Sequence, residues 1–463
     1  MDHLPVYLSL LLIISAALLV VTALIRVAGL RLGEFTIPSF FVVMYFVTVF
    51  AGCVILLFGL DEYALSIGVR NPDIVLKLFG FSSIGMLMVL SGFVFANKAI
   101  GVSPPAPARI TLVPSIAQQR WFFIGLFAVS CAVLALYLSK IETVAITAAL
   151  SGDLVAAAVA RTNMGTSFEN YWRYELFFRY VMDLCVLYFV ADFGMRPGVR
   201  SGSLAASSLA VASFTAVMSI EKSPIVMLLV SVYLVLVLLR GGRYWQPELK
   251  YFAPVVLGLA ALMYMLFMGA FDLVTGLEQL AYRVLTGQII PAYFYLERFP
   301  HEVDYLWGLS LPNPAGIFPF DSYPLTIDVA SVINPGSVAD GVIGSAPTVF
   351  WGEMYANFGL AGVLVSSFVL GVALFILGHV LGRLPLSPAM IATTVALAMH
   401  YRFLTATGVS SYLFDMRLGV ILAITFLALV LGCRKGRIWR SRRVTRPSAS
   451  RKPTVSVSFR ATT

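Results

Sequence analysis

Charge is what this sequence has least of. Of its 463 residues only 12% are Asp, Glu, Lys or Arg, where a soluble domain carries about a quarter, and that shortage excludes a water-soluble globule. Histidine and cysteine are few as well, at four each. Cys53, Cys131, Cys185 and Cys433 all lie in apolar runs without CxxC spacing, which argues against a disulfide framework or zinc site and leaves them as small core residues. Walker, HExxH and G-x-S-x-G motifs are missing, so NTP-driven, zincin and serine-hydrolase chemistries have no anchor. There is no internal repeat and no pair of interrupted helices in corresponding halves, which weighs against many secondary-transporter architectures.

What abounds is apolar surface. Hydrophobic residues make up 59% of the chain and the mean hydropathy is +0.90, the composition of an integral membrane protein. Eleven runs approach the ~20 residues a bilayer-crossing helix needs: 5–25, 38–60, 78–96, 121–138, 176–193, 204–220, 223–239, 251–271, 359–381, 388–404 and 417–433. Backbone satisfaction in lipid makes them helices, since a barrel would show ten-residue alternation. The first run has no basic residue ahead of it and no A-x-A site, so it reads as a retained helix rather than a signal peptide. The expected fold is an all-α polytopic bundle of about 11 spans, a single membrane domain over 1–433.

The net charge of +9 is local. Residues 434–463 hold ten Lys or Arg and no acid, and the remaining 22 basic residues face 23 acidic ones. That tail reads as disordered and cytoplasmic, apt to touch anionic lipid and without a claim on nucleic acid. With eleven spans the N-terminus lies outside. Setting the tail aside, cytoplasmic segments hold 11 cations and external ones nine, so the external arginines need a reason to be there.

Two external connections exceed ordinary loop length, 139–175 and 272–346. The second holds eight acids, seven prolines and ten aromatics, including Tyr293, Tyr295, Tyr305, Trp307, Phe318, Phe320 and Tyr323. Rings that stack on sugar C–H faces, with carboxylates such as Asp321 and Asp328 accepting hydroxyl hydrogen bonds, suit a carbohydrate surface; an ordered cap at headgroup level fits the same composition. In the first connection, residues 144–159 read as a membrane-surface amphipathic helix delivering Arg161 at its end. A guanidinium there can clamp a lipid phosphate or anchor in the headgroups. Arg179 and Asp183, one turn apart inside a span, can pair with each other.

Glu221 and Lys222 mark an external turn, and Arg283 opens the long loop. Later, Glu353, Tyr355 and Asn357 lie on a short helix ending in Gly359 and Gly362, and MHYRFLTATGVSSYLFDMR concentrates His400, Tyr401, Arg402, Tyr412, Asp415 and Arg417. Brought together, these mouths would form a cationic pocket ringed by carboxylates, suited to an anionic lipid-linked substrate and a neutral polyol acceptor.

In layout the chain resembles the Wzy family of bacterial oligosaccharide repeat-unit polymerases, which includes the polymerase of enterobacterial common antigen, within the glycosyltransferase C-type superfamily. The patches that carry the resemblance are VARTNMGTSF with Arg161, SIEKSP with Lys222, AYRVLTG with Arg283, the proline-rich run before GSAPTVFWGEMYANFGLAG, and Arg402 and Arg417. Common members carry arginine where Lys222 stands, which departs from a bidentate phosphate contact.

The resemblance implies an inner-membrane, multi-pass enzyme with a periplasmic active site and no cofactor or metal. It would transfer a glycan from undecaprenyl pyrophosphate to an incoming lipid-linked repeat unit, with inversion. Arg161 and Arg283 would stabilise the departing pyrophosphate and Glu353 would act as base, with His400, Asp321 and Asp328 as fallbacks. Lys222, His400, Arg402, Arg417, Tyr355, Asn357, Asp321 and Asp328 would bind substrate. A flippase and a chain-length regulator would be its pathway partners. The alternatives are an O-antigen ligase acting on lipid A core, for which His301 is available, and a transporter of the lipid-linked unit.

Overall fold

The computed structural model describes residues 4–104, 116–166, 170–221, 223–268, 273–313, 316–336, 344–413 and 415–432. Lys222, Cys433, Asp272, Asp340 and the basic tail lie outside them. Among the described residues the secondary structure is helical, with one isolated bridge between Glu34 and Arg243.

Each of the eleven apolar runs falls on a helix: α1 Leu4–Val27, α2 Ile37–Leu57, α3 Pro72–Lys98, α4 Ile116–Leu138, then α7 (171–195), α8 Val199–Val217, α9 Ser223–Leu239, α10 Leu249–Met268, α14 Phe350–Arg383, α15 Pro388–Tyr401 and α17 Met416–Gly432. Among the described residues, α1, α2, α3, α4 and α14 are long and apolar enough to cross a membrane. The helix starts are written locally. Asn71 and Ser387 each precede a proline and accept a first-turn N–H, from Asp73 at 3.0 Å and Met390 at 3.2 Å. Proline at the first position has no N–H to lose there.

Small residues set the tightest crossing. α3 and α14 pack backbone to backbone, and a Cβ on Gly371 or Gly92 would collide with the carbonyl of Val89 or Phe368. Without a hydrophobic drive between helices in lipid, such approaches supply the van der Waals packing that holds a bundle.

The connections gather at two ends. At one, Phe35 N–H donates to Gly242 O (2.6 Å), Tyr244 N–H to Gly33 O (3.0 Å), and His379 Nδ1 lies 2.8 Å from Ser103 O. At the other, which carries both long connections, Thr286 donates to Asp61 (2.5 Å), Asn71 N–H to the Tyr293 hydroxyl (3.1 Å), and Ile146 N–H to Met218 O (3.1 Å).

Both long connections are folded. Residues 144–159 are two helices rather than the single one expected, α5 Ala145–Leu150 and α6 Leu154–Thr166. Gly152, at φ 86°, reverses the chain between them, and Asp153 accepts Ala156 N–H to begin α6. Arg161 therefore sits inside α6, not at a helix end. The longer connection forms α11 Leu273–Leu285, α12 Ile290–Arg298 and α13 Leu325–Ile333. Tyr293, Tyr295, Phe299 and Val329 are buried in the main core, so the first two are packing residues rather than stacking platforms. The exposed rings are Trp307 and Phe318. The segment packs as a cap on the helices through its buried rings and leaves Trp307 and Phe318 at the surface.

Candidate functional site

α14 organises the centre of the loop-rich end. It is one element of 34 residues bent at Gly359, whose φ of 60° and ψ of −146° are open to glycine alone. A Cβ there would lie 2.9 Å from Tyr305 Cζ. The expected short helix is thus the first two turns of a long, kinked one.

Its polar side chains are used internally. Asn357 is fully buried, accepts Gly308 N–H at 3.0 Å, and donates to Ser310 Oγ at 2.6 Å and Glu353 O at 2.8 Å. With both amide hydrogens donated and its oxygen accepting from the Gly308 backbone, it braces the cap. Tyr355 donates to Phe299 O at 3.2 Å while its ring meets Phe81 and Tyr305. Glu353 is buried, and both carboxylate oxygens take hydrogen bonds from Ser410, one from the N–H at 3.0 Å and one from the hydroxyl. Gly408 lets the carboxylate approach, because a Cβ there would strike it. Glu353 thereby fastens the start of α16 Val409–Leu413 to α14.

Asp328 is likewise committed. Arg298 makes a two-pronged pair with it, both bonds at 2.9 Å, and Tyr323 donates to it at 2.7 Å. Burial, followed by this bond to Asp328, holds the Tyr323 phenol above its ordinary pKa. Burial also lifts the neighbouring Glu297 carboxyl, with Glu302 adding to the effect. Asp321 and His301 are exposed on the cap.

Arg179 does not pair with Asp183. It reaches Glu175 at 3.1 Å and Glu221 at 2.5 Å, because a π-helical stretch, Leu176–Val181, shifts the side-chain register at that point of α7. Asp183 is released from the pairing and lines a cavity of about 100 Å³ between α7, α9, α15 and α17.

That cavity collects the late cluster of the sequence. Its polar lining is Tyr180, Asp183, Ser231, His400, Tyr412 and Arg417, and its apolar lining includes Leu187 and Ile421. Arg417 lies 4.2 Å over the Tyr180 ring and 3.8 Å from Asp415. His400 is 6% exposed, packs against Tyr412 at 4.5 Å, and has an Nε2 without a hydrogen-bond partner. Arg402 stands beside it across Phe403 and Tyr412, and its Nε is buried and equally unpartnered. Tyr180 and Ser410 carry no signal in the sequence beyond their residue types. Asp183 is visible there as an acid in an apolar run, the usual mark of function in a span.

Arg161 and Arg283 are exposed on α6 and α11, and among the described residues neither is in an ion pair or hydrogen-bonded to Glu353 or His400. α6 packs on Tyr137 and Phe178 through Ala160 and Met164, and α11 docks by Tyr282 donating to Leu60 O. The expected single pocket is therefore divided into exposed cations on two separate supports and a recessed cavity.

No protein-family model, no curated protein and no solved structure matches this chain.

Proposed function

We propose that the chain is an inverting glycosyltransferase of a bacterial inner membrane that polymerises undecaprenyl-pyrophosphate-linked repeat units. In this reading all eleven helices cross the bilayer, the N-terminus is outside, and the loop-rich end faces the periplasm. The observation that carries it is the set of arginines at that end without carboxylate partners among the described residues: Arg161 and Arg283 exposed, and Arg402 with a buried, unpartnered Nε. Arginines paired at the same end, Arg179 and Arg298, show that acids were available to neutralise them. Guanidiniums that no carboxylate of the protein neutralises can make paired hydrogen bonds to phosphate oxygens and stabilise the charge that develops on a departing pyrophosphate.

The test is elongation by the purified protein given only lipid-linked repeat units. Products two or more repeats long support the reading, and unchanged single units overturn it. A ligase would use the same donor on lipid A core; deleting the gene then abolishes all attachment, whereas loss of a polymerase leaves single repeats attached. Transport is a second reading, favoured by one observation: a carboxylate, Asp183, faces a cavity within the bundle. Products lengthened in detergent, where there is no second compartment, exclude pure transport.

A further inference from the structure

The cavity between α7, α9, α15 and α17 has no part in the phosphate chemistry above, and its lining is of mixed character. An acid (Asp183), a cation (Arg417), a histidine whose Nε2 has no hydrogen-bond partner (His400) and two tyrosines (Tyr180, Tyr412) line about 100 Å³, several times the ~10–15 Å³ that one water occupies. A phosphate or diphosphate would meet Asp183, and an ammonium would meet Arg417. A hydroxylated ring satisfies them all, because each hydroxyl both donates and accepts. The space is too small for an isoprenoid chain.

We infer that this cavity is the acceptor site for the terminal sugar of the incoming repeat unit, with Asp183 taking the proton of the attacking hydroxyl. The inference rests on the polymerase reading. It assigns to Asp183 the role that Glu353 is badly placed for, since both Glu353 oxygens are bound by Ser410. No described residue hydrogen-bonds to the Asp183 carboxylate, and Asp183 lines the free space. In the step, the acceptor oxygen forms a bond to the anomeric carbon of the donor glycan. The bond from that carbon to the diphosphate oxygen breaks, its electron pair leaves with the diphosphate, and the hydroxyl proton passes to Asp183. His400 Nε2 and Arg417 hold adjacent hydroxyls, which fixes the ring for attack.

Two measurements on the full chain in nanodiscs test this. In the first, Met399→Cys, or Ser231→Cys if the former folds poorly, reports cavity access through its rate of alkylation by N-ethylmaleimide, read by peptide mass against the native cysteines. Free repeat-unit oligosaccharide, released from its lipid, is expected to slow labelling about tenfold, and inorganic diphosphate to leave it unchanged. Protection by diphosphate alone, or by neither, overturns the inference even when wild-type protein polymerises normally. In the second, Asp183→Asn is expected to lower the elongation rate at saturating acceptor at least ~100-fold while oligosaccharide still protects the reporter cysteine. Elongation within threefold of wild type overturns the role of Asp183. If wild-type protein makes no polymer, the polymerase reading fails, and protection by oligosaccharide then shows a sugar site belonging to another activity.

Discussion

Asp183 and Asp192 share one helix, nine residues apart, and are treated oppositely by the fold. Asp192 is completely buried and receives both prongs of Arg120, at 2.7 and 3.0 Å. Asp183 has no such partner among the described residues and lines a cavity. A buried acid costs several kcal/mol unless it is paired and hydrogen-bonded. On this helix the fold provides that compensation at Asp192 and, among the described residues, leaves Asp183 without a hydrogen-bond partner. A charge completed by its own protein holds helices together, and one left incomplete is available to a ligand.

The largest effect expected from this contrast is at the completed pair. Asp192→Ala strands the Arg120 guanidinium against α7 and should cost about 3–5 kcal/mol, read as a lowered midpoint of thermal unfolding in detergent. A midpoint within the scatter of surface substitutions would erase the distinction between the two aspartates.

Next is the cap, where Arg298 joins α12 to α13 through Asp328 with both side chains about one-fifth exposed. Arg298→Ala removes both charge-assisted bonds to Asp328 and a third, more exposed one to Glu302, a loss of about 2 kcal/mol. It is expected to act locally, as faster proteolytic cleavage between residues 299 and 336 with the bundle helices still protected. Cleavage that begins in the bundle instead would show that the cap and helices do not separate in stability.

The contrast between satisfied and unsatisfied charge also marks what the sequence could reveal. The apolar runs announce the helices, because length and hydropathy are local properties, and each run falls on one. Helix starts at Asn71 and Ser387 are equally local. The fate of a charge is not local. Arg179 has Asp183 one turn away, yet the π-helical stretch at Leu176–Val181 and the arrival of Glu221 from a different hairpin redirect it. Asp328 reads as a free loop acid until Arg298, 30 residues earlier, closes on it. Glu353 reads as a base until Gly408 and Ser410 arrive from the far side of α15. Residue type gave the candidates, and the long-range contacts sort them.

Smaller still in stability are the exposed cations. Arg161→Ala and Arg283→Ala should each leave the unfolding midpoint within the ~0.5 kcal/mol typical of surface changes, while in the proposed function both abolish elongation. Normal polymer ladders from both variants would remove the phosphate role and leave ordinary headgroup anchoring.

The smallest stability change belongs to Asp183 itself, and it tests the comparison most directly. Replacing Asp192 by Asn halves the acceptors offered to Arg120 and removes the attraction, so the midpoint must fall. Replacing Asp183 by Asn removes no hydrogen bond from any described residue, so the midpoint is expected to stay within about 0.5 kcal/mol of wild type; Asp183→Leu, which removes a carboxylate that no described residue hydrogen-bonds, should raise it. Proteins commonly give up stability in this way where a group must stay unsatisfied for its work. If Asp183→Asn destabilises as much as Asp192→Asn, then Asp183 is a structural acid like its neighbour, and the cavity beside it has lost its reason to be a site.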